Sequence, residues 1–169
     1  MAARNRLGPR PAAALTAPVL AWSLITLVAC RPDAEIPDAV DLDDLGTRYA
    51  AAWSSQDPDR LASFYAEDGT LTVNGATSTG REAIRATAAA FMSGFPDMRV
   101  TMDSIVGEGG QAVFHWTWTG TNTGPGGTGR SVNLQGHEEW TLGPDGRILA
   151  SDGHYDEAEY RLQVEGGAE

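Results

Sequence analysis

Two hydrophobic periods divide the chain. In "DLDDLGTRYAAAWSSQD", Leu42, Leu45, Tyr49 and Trp53 recur at three- and four-residue intervals, which puts one apolar stripe on a helix. Asp41 is placed to cap it, and acids crowd its first turn, where the helix dipole favours them. "DPDRLASFYAEDG" predicts a second, short helix with Asp57 as cap, Pro58 at the first helical position, and Leu61, Phe64 and Tyr65 turned inward; Gly69 ends it. "TLTVNG" reads as a short strand and a turn. "STGREAIRATAAAFMSG" gives a third helix, with Ile84, Ala88, Phe91 and Met92 on one side and Gly94 and Pro96 as its stop.

After Pro96 the period falls to two. "MRVTMDSIVGEGGQAVFHWTWTGTNTG" predicts two strands joined at "GEGG", and "GRSVNLQGHEEWTLGPDGRILASDGHY" two more joined at "GPDG". Along the second of these strands Ala112, Phe114, Trp116 and Trp118 alternate with Val113, His115, Thr117 and Thr119. In the next, Val132, Leu134, Gly136, Glu138, Trp140 and Leu142 alternate with Ser131, Asn133, Gln135, His137, Glu139 and Thr141. One sheet face is therefore apolar and the other polar. Glu138 breaks the apolar set. Counting by two from Ile148 in the last strand adds Asp152 and His154 to the same side. Helices first and an antiparallel meander after predict an α+β fold, with the three helices covering the apolar face.

The first 29 residues differ from the rest. They carry Arg4, Arg6 and Arg10 and no acid, followed by an uncharged run from Pro11 to Ala29 that ends in "LVAC". This is the order of a secretory signal. A cysteine directly after Leu-Val-Ala resembles the lipobox of bacterial lipoproteins, which implies a lipidated Cys30 at the new N-terminus and attachment to a membrane of the bacterial cell envelope, on its extracytoplasmic face. The competing reading is an uncleaved membrane helix, which Pro11 and Pro18 make poorer. Cys30 is the only cysteine, so no disulfide forms within the chain. Residues 30–40, rich in proline and acid, read as a flexible tether. One domain follows over 41–165, with 166–169 as a tail.

Charge narrows the partners. Losing residues 1–29 takes the chain from 12 basic residues to 9 against 23 acids, and from a net charge of -11 to -14; lysine is absent. Nucleic acid is not an expected partner, because phosphate contact needs cationic side chains. A polybasic membrane contact is disfavoured as well. "GTNTGPGGTGR" is rich in glycine, but a strand rather than a helix follows it, which argues against a phosphate loop. Three scattered histidines without short ligand spacing predict no metal site, and no cofactor is expected.

"RYAAAWSSQDPDRLASFYAEDGTLTVNG", "GREAI", "GFPDMRVTMDSIVGEGG", "WTWTGTNTG" and "DGRILASDGHYD" stand in the order seen in SnoaL-like polyketide cyclases. The chain resembles that family, part of the superfamily of nuclear transport factor 2 and ketosteroid isomerase. The resemblance implies a cone: a curved antiparallel sheet against three N-terminal helices on its concave face, enclosing a pocket. It also implies that Asp152, on the last strand, is the acid/base for an intramolecular ring closure. A histidine on the preceding strand assists in the family. Here the inward position holds Glu138, with His137 one residue earlier, and Asn122 stands where the family's "GTHTG" turn has its histidine. Asp156 matches an aspartate before the last turn and reads as structural.

The candidate chemistry is thus Asp152 with Glu138 and His154. Two carboxyls facing one apolar cavity cannot both ionise cheaply, which suits general acid/base work; the bland alternative is that both meet water at the mouth. Tyr49, Trp53, Phe64, Phe91, Trp116, Trp118 and Trp140 are the candidate aromatic pocket, with Asn122 at its rim; the alternative for most of them is core. Two functions stand side by side. One is acid/base cyclisation or isomerisation of a carbonyl-containing small molecule. The other is non-catalytic binding of an apolar small molecule by the same pocket. Any homodimer formed through the polar sheet face, with His115, Thr117, Asn133 and Gln135, is expected to be wet and modest.

Overall fold

The computed structural model describes residues 40–108 and 110–166. The expected signal peptide, Cys30, nearly all of the tether and residues 167–169 lie outside the described residues. Among the described residues no helix is long and apolar enough to cross a membrane.

Helix α1 spans Leu42–Trp53; the Asp41 carboxylate accepts from the Asp44 N–H, and Leu45, Tyr49 and Trp53 are buried along one stripe. Helix α2 is short, Pro58–Ala62, capped by Asp57. It ends before Phe64 and Tyr65, which the sequence places inside it. Strand β1 starts at Tyr65 and runs to Val73, because Tyr65 pairs with Ile148 and the Ile148 N–H donates to the Phe64 carbonyl. A long-range ladder thus overrides the local helical signal. Asn74 and Gly75, both at positive φ, turn β1 into β2, Ala76–Thr79, the usual work of an Asn-Gly pair. Helix α3 covers Arg81–Gly94 and buries Ile84, Ala88 and Met92.

Strands β3 (Arg99–Glu108), β4 (Gln111–Thr121), β5 (Ser131–Leu142) and β6 (Ile148–Tyr155) form the antiparallel meander. The six strands make one curved sheet in the order β2-β1-β6-β5-β4-β3, an α+β fold, with β1 and β6 parallel. A fourth helix, α4 (Glu157–Glu165), follows β6; Asp156 caps it by accepting from the Glu159 N–H, the structural role expected of that aspartate. Where β6 ends, the Gln163 side chain takes over the free backbone of β5: its Oε1 accepts from the Asn133 N–H and its Nε2 donates to the Asn133 carbonyl.

The core lies between the helices and the apolar sheet face. Tyr49, Phe114 and Trp140 are its centre: Phe114 stacks on Trp140 at 4.9 Å, and Tyr49 meets Trp140 edge-on at 4.8 Å. All three are sealed from solvent, each contributing about 1.5–3 kcal/mol by burial.

One irregularity decides where the site lies. Leu142 of β5 pairs with Ile148, but Thr141 pairs with Ala150, so β6 carries one extra residue at Leu149. Such a bulge reverses the alternation beyond it. Ser151 and Gly153 are buried and Asp152 and His154 exposed, the opposite of a count by two from Ile148.

Candidate functional site

A cavity of about 50 Å³ opens between α1, α3 and the concave side of the sheet. Trp53 of α1 and Phe91 of α3 form one side. Trp116 and Trp118 of β4 and Glu138 of β5 form the floor, and Gly153 and Tyr155 of β6 the far wall. Val73, Met98 and Val100 complete the lining. Gly136 makes this floor possible: a Cβ there would collide with the Trp116 ring and the His154 carbonyl. The indole nitrogens of Trp116 and Trp118 have no hydrogen-bond partner and are sealed within the packing.

Glu138 is the one ionisable carboxyl on this lining. Its Oε2 accepts three hydrogen bonds, from Tyr49 Oη at 2.8 Å, Trp140 Nε1 at 3.0 Å and Ser151 Oγ at 2.6 Å. Since the Tyr49 proton goes to Glu138, the Tyr65 hydroxyl donates to Tyr49 at 2.6 Å. The second oxygen, Oε1, has no hydrogen-bond partner among the described residues, and Glu138 lines the cavity. Burial pushes the Glu138 carboxyl up from the ordinary carboxylate range, against its three hydrogen bonds, which pull it down. Burial, with Glu138 nearby, also pushes the Tyr49 and Tyr65 hydroxyls well above the usual phenol range.

Several expectations from the sequence are corrected here. Asp152 and His154 do not enter the cavity. They lie on the outer sheet face, 54% and 45% exposed, with His154 Nε2 3.3 Å from Asp152 Oδ1. The bulge at Leu149 is the reason. Glu138 therefore has no second carboxyl beside it. His115, His137 and His154 pair across β4, β5 and β6 and make one row on that outer face, with ring centroids 5.8 and 5.3 Å apart. Among the described residues no three side chains are gathered as metal ligands. Trp140, Tyr49 and Phe64 do not line the cavity; the first two are core, and Phe64 packs edge-on against Tyr49 with the Arg48 guanidinium over its ring. Asn122 is a loop staple: its Nδ2 donates to the Gly94 carbonyl and its Oδ1 accepts from the Thr128 N–H. The glycine-rich loop packs on the end of α3, Gly124 being so close to Ser93 that a Cβ would strike its carbonyl. Trp53, Phe91, Trp116, Trp118 and Glu138 do meet at the cavity.

Sequence reasoning missed Tyr65, Ser151 and Tyr155. Tyr65 was hidden by the helical look of "ASFYAEDG". Ser151 and Tyr155 become inward positions only once the extra residue in β6 is counted. No local signal marks that bulge.

The profile of the SnoaL-like domain matches residues 47–151. The chain belongs to the SnoaL-like domain family. Solved structures agree with this SnoaL-like fold. A putative SnoaL-like polyketide cyclase from Jannaschia sp. superposes with a TM-score of 0.66 at 19% identity, covering 80% of this chain and 99% of that one. TsrD from Streptomyces laurentii gives 0.66 at 25%, covering 78% and 99%. A hypothetical protein with a ketosteroid isomerase-like fold from Catenulispora acidiphila, solved in complex with trimethylamine, gives 0.64 at 23%, covering 70% and 90%. None of the curated proteins compared with the SnoaL-like chain matches it.

Proposed function

We propose that this SnoaL-like domain is a small-molecule pocket, tethered to the outer side of a bacterial membrane through a lipidated Cys30, that binds a small and largely apolar molecule. The observation that carries the reading is the cavity itself: aromatic walls around a single carboxyl, Glu138, whose Oε1 has no hydrogen-bond partner among the described residues. Apolar pockets with a few placed polar groups are the usual form of such sites. The displacement of Asp152 and His154 to the outer face removes the acid/base pair and favours binding over turnover. The test is native mass spectrometry of the full-length chain, reading any molecule retained through purification. A bound mass that Trp118→Leu abolishes and Asp152→Asn leaves unchanged supports the pocket; a mass retained equally by both variants argues against it.

One observation favours a second reading, acid/base catalysis at Glu138. A carboxyl raised by burial, with one oxygen on the cavity, is suited to moving a proton next to a substrate carbonyl. This would be the cyclisation or isomerisation of a carbonyl compound, and one solved relative is described as a putative polyketide cyclase. Turnover of a carbonyl compound that is lost in Glu138→Gln, with binding kept, would move the protein to this class.

A further inference from the structure

The walls of the cavity are arranged as a box. Trp53 meets Phe91 at 5.9 Å and 90°, Phe91 meets Trp118 at 5.9 Å and 83°, and Trp118 meets Tyr155 at 6.3 Å and 71°. An aromatic ring is negative over its face and positive at its edge, so a wall built of rings can attract a cation. Trp116 adds a fifth ring. Against these stands one side chain that can hold a charge opposite to the ligand's, Glu138, and no arginine or histidine is on the lining.

We propose that the occupant of this box is a small alkylated ammonium ion, of the tetramethylammonium or trialkylammonium type. This rests on the reading of the cavity as a small-molecule site. An alkylammonium presents an apolar surface to the walls while its diffuse positive charge is attracted by ring faces. A trialkylammonium has, in addition, one N–H to give to Glu138 Oε1, the carboxyl oxygen without a hydrogen-bond partner among the described residues. An anion would meet apolar aromatic walls and a carboxyl together, with no cationic side chain on the lining. A neutral acceptor would find no free protein N–H on the lining, because the two unpartnered indole nitrogens are sealed in the packing and not open to the cavity. The volume of about 50 Å³ suits a handful of non-hydrogen atoms rather than a polycyclic ligand. The acidic excess of the chain, 23 acids to 12 arginines, raises the local concentration of cations.

The experiment titrates the full-length chain with tetramethylammonium chloride and with tert-butanol, a neutral compound of similar bulk, following tryptophan fluorescence and methyl proton saturation transfer. The expected result is saturable binding of the cation at least about tenfold tighter than that of the alcohol. Glu138→Gln should weaken the cation about tenfold and the alcohol, which offers an O–H but no charge, by clearly less. Phe91→Leu, a half-buried position outside the hydrogen-bond network, should weaken the cation about threefold or more, so the proposal stays open to test if the Glu138 variant folds poorly. Equal binding of cation and alcohol overturns the ammonium assignment while leaving the pocket in place. Binding of neither, together with failure to take up benzene, overturns both the assignment and the pocket reading.

Discussion

Glu138→Ala tests whether the carboxylate is the hub of the buried network. Three donors lose their acceptor at once: the Tyr49 hydroxyl, the Trp140 indole and the Ser151 hydroxyl, now at 2.8, 3.0 and 2.6 Å. A buried donor left without a partner costs about 1–3 kcal/mol, so the gross loss is about 3–9 kcal/mol. Two effects reduce it. The folded state no longer has to bury an acid, and burial dominates this group's shifted titration. The neighbouring cavity of about 50 Å³ also admits water, which needs only about 10–15 Å³ and two polar partners. The expected net destabilisation is about 2–4 kcal/mol, or roughly 5–15 °C in melting temperature for a domain of this size. Glu138→Gln keeps an acceptor and the shape, and should lose less than half as much. Urea unfolding followed by tryptophan fluorescence reads both, with the midpoint moving at constant slope. A Ser151→Ala cycle should show a coupling of at least about 0.5 kcal/mol with Glu138. An alanine variant within about 0.5 kcal/mol of wild type would refute the network's role. A glutamine variant as damaged as the alanine would place the loss in something other than the acceptor.

The raised carboxyl of Glu138 also fixes a sign with pH. The fold prefers the protonated form, so this group's stabilisation is complete below the ordinary carboxylate pKa and is lost as pH rises through the raised value. Glu138→Gln cannot titrate there and should gain on wild type as pH rises from acid towards neutral; a thermal-melt difference that moves the other way contradicts the assignment. Gly136→Ala places a methyl on the Trp116 ring and the His154 carbonyl and should destabilise by about 1–3 kcal/mol while reshaping the cavity floor, readable by melting and by near-ultraviolet circular dichroism. Cys30→Ser should abolish the lipid mass and the partition into detergent; an unchanged mass and fractionation would remove the tether from the proposal. A dimer through the outer face should be wet and weak, since His115, Asn133 and Gln135 offer hydrogen bonds and little apolar area. Sedimentation at micromolar and nanomolar concentration separates this from a tight dimer.

The α+β class and the first and third helices could be read from the chain because their signals are local. Leu45, Tyr49 and Trp53 share a stripe whatever the rest of the chain does, and Asp41 caps the same turn it caps in the fold. The alternation of β4 and β5 likewise put Trp116, Trp118 and Glu138 on the inner face, where they lie. Which polar side chains reach the cavity was decided only by tertiary structure. A single extra residue at Leu149, accommodated because β6 pairs with β1 on one side and β5 on the other, turned Asp152 and His154 to solvent and brought Ser151 against Glu138. Parity is a property of pairing, and pairing is not written within one strand. The same holds for Tyr65, whose neighbours favour a helix. It became strand because Ile148, 83 residues further on, offered a ladder partner, and its hydroxyl then closed the chain of donors that ends on Glu138. Local sequence determines which residues can face inward along an undisturbed element. Which of them meet depends on register, and register follows from the whole sheet.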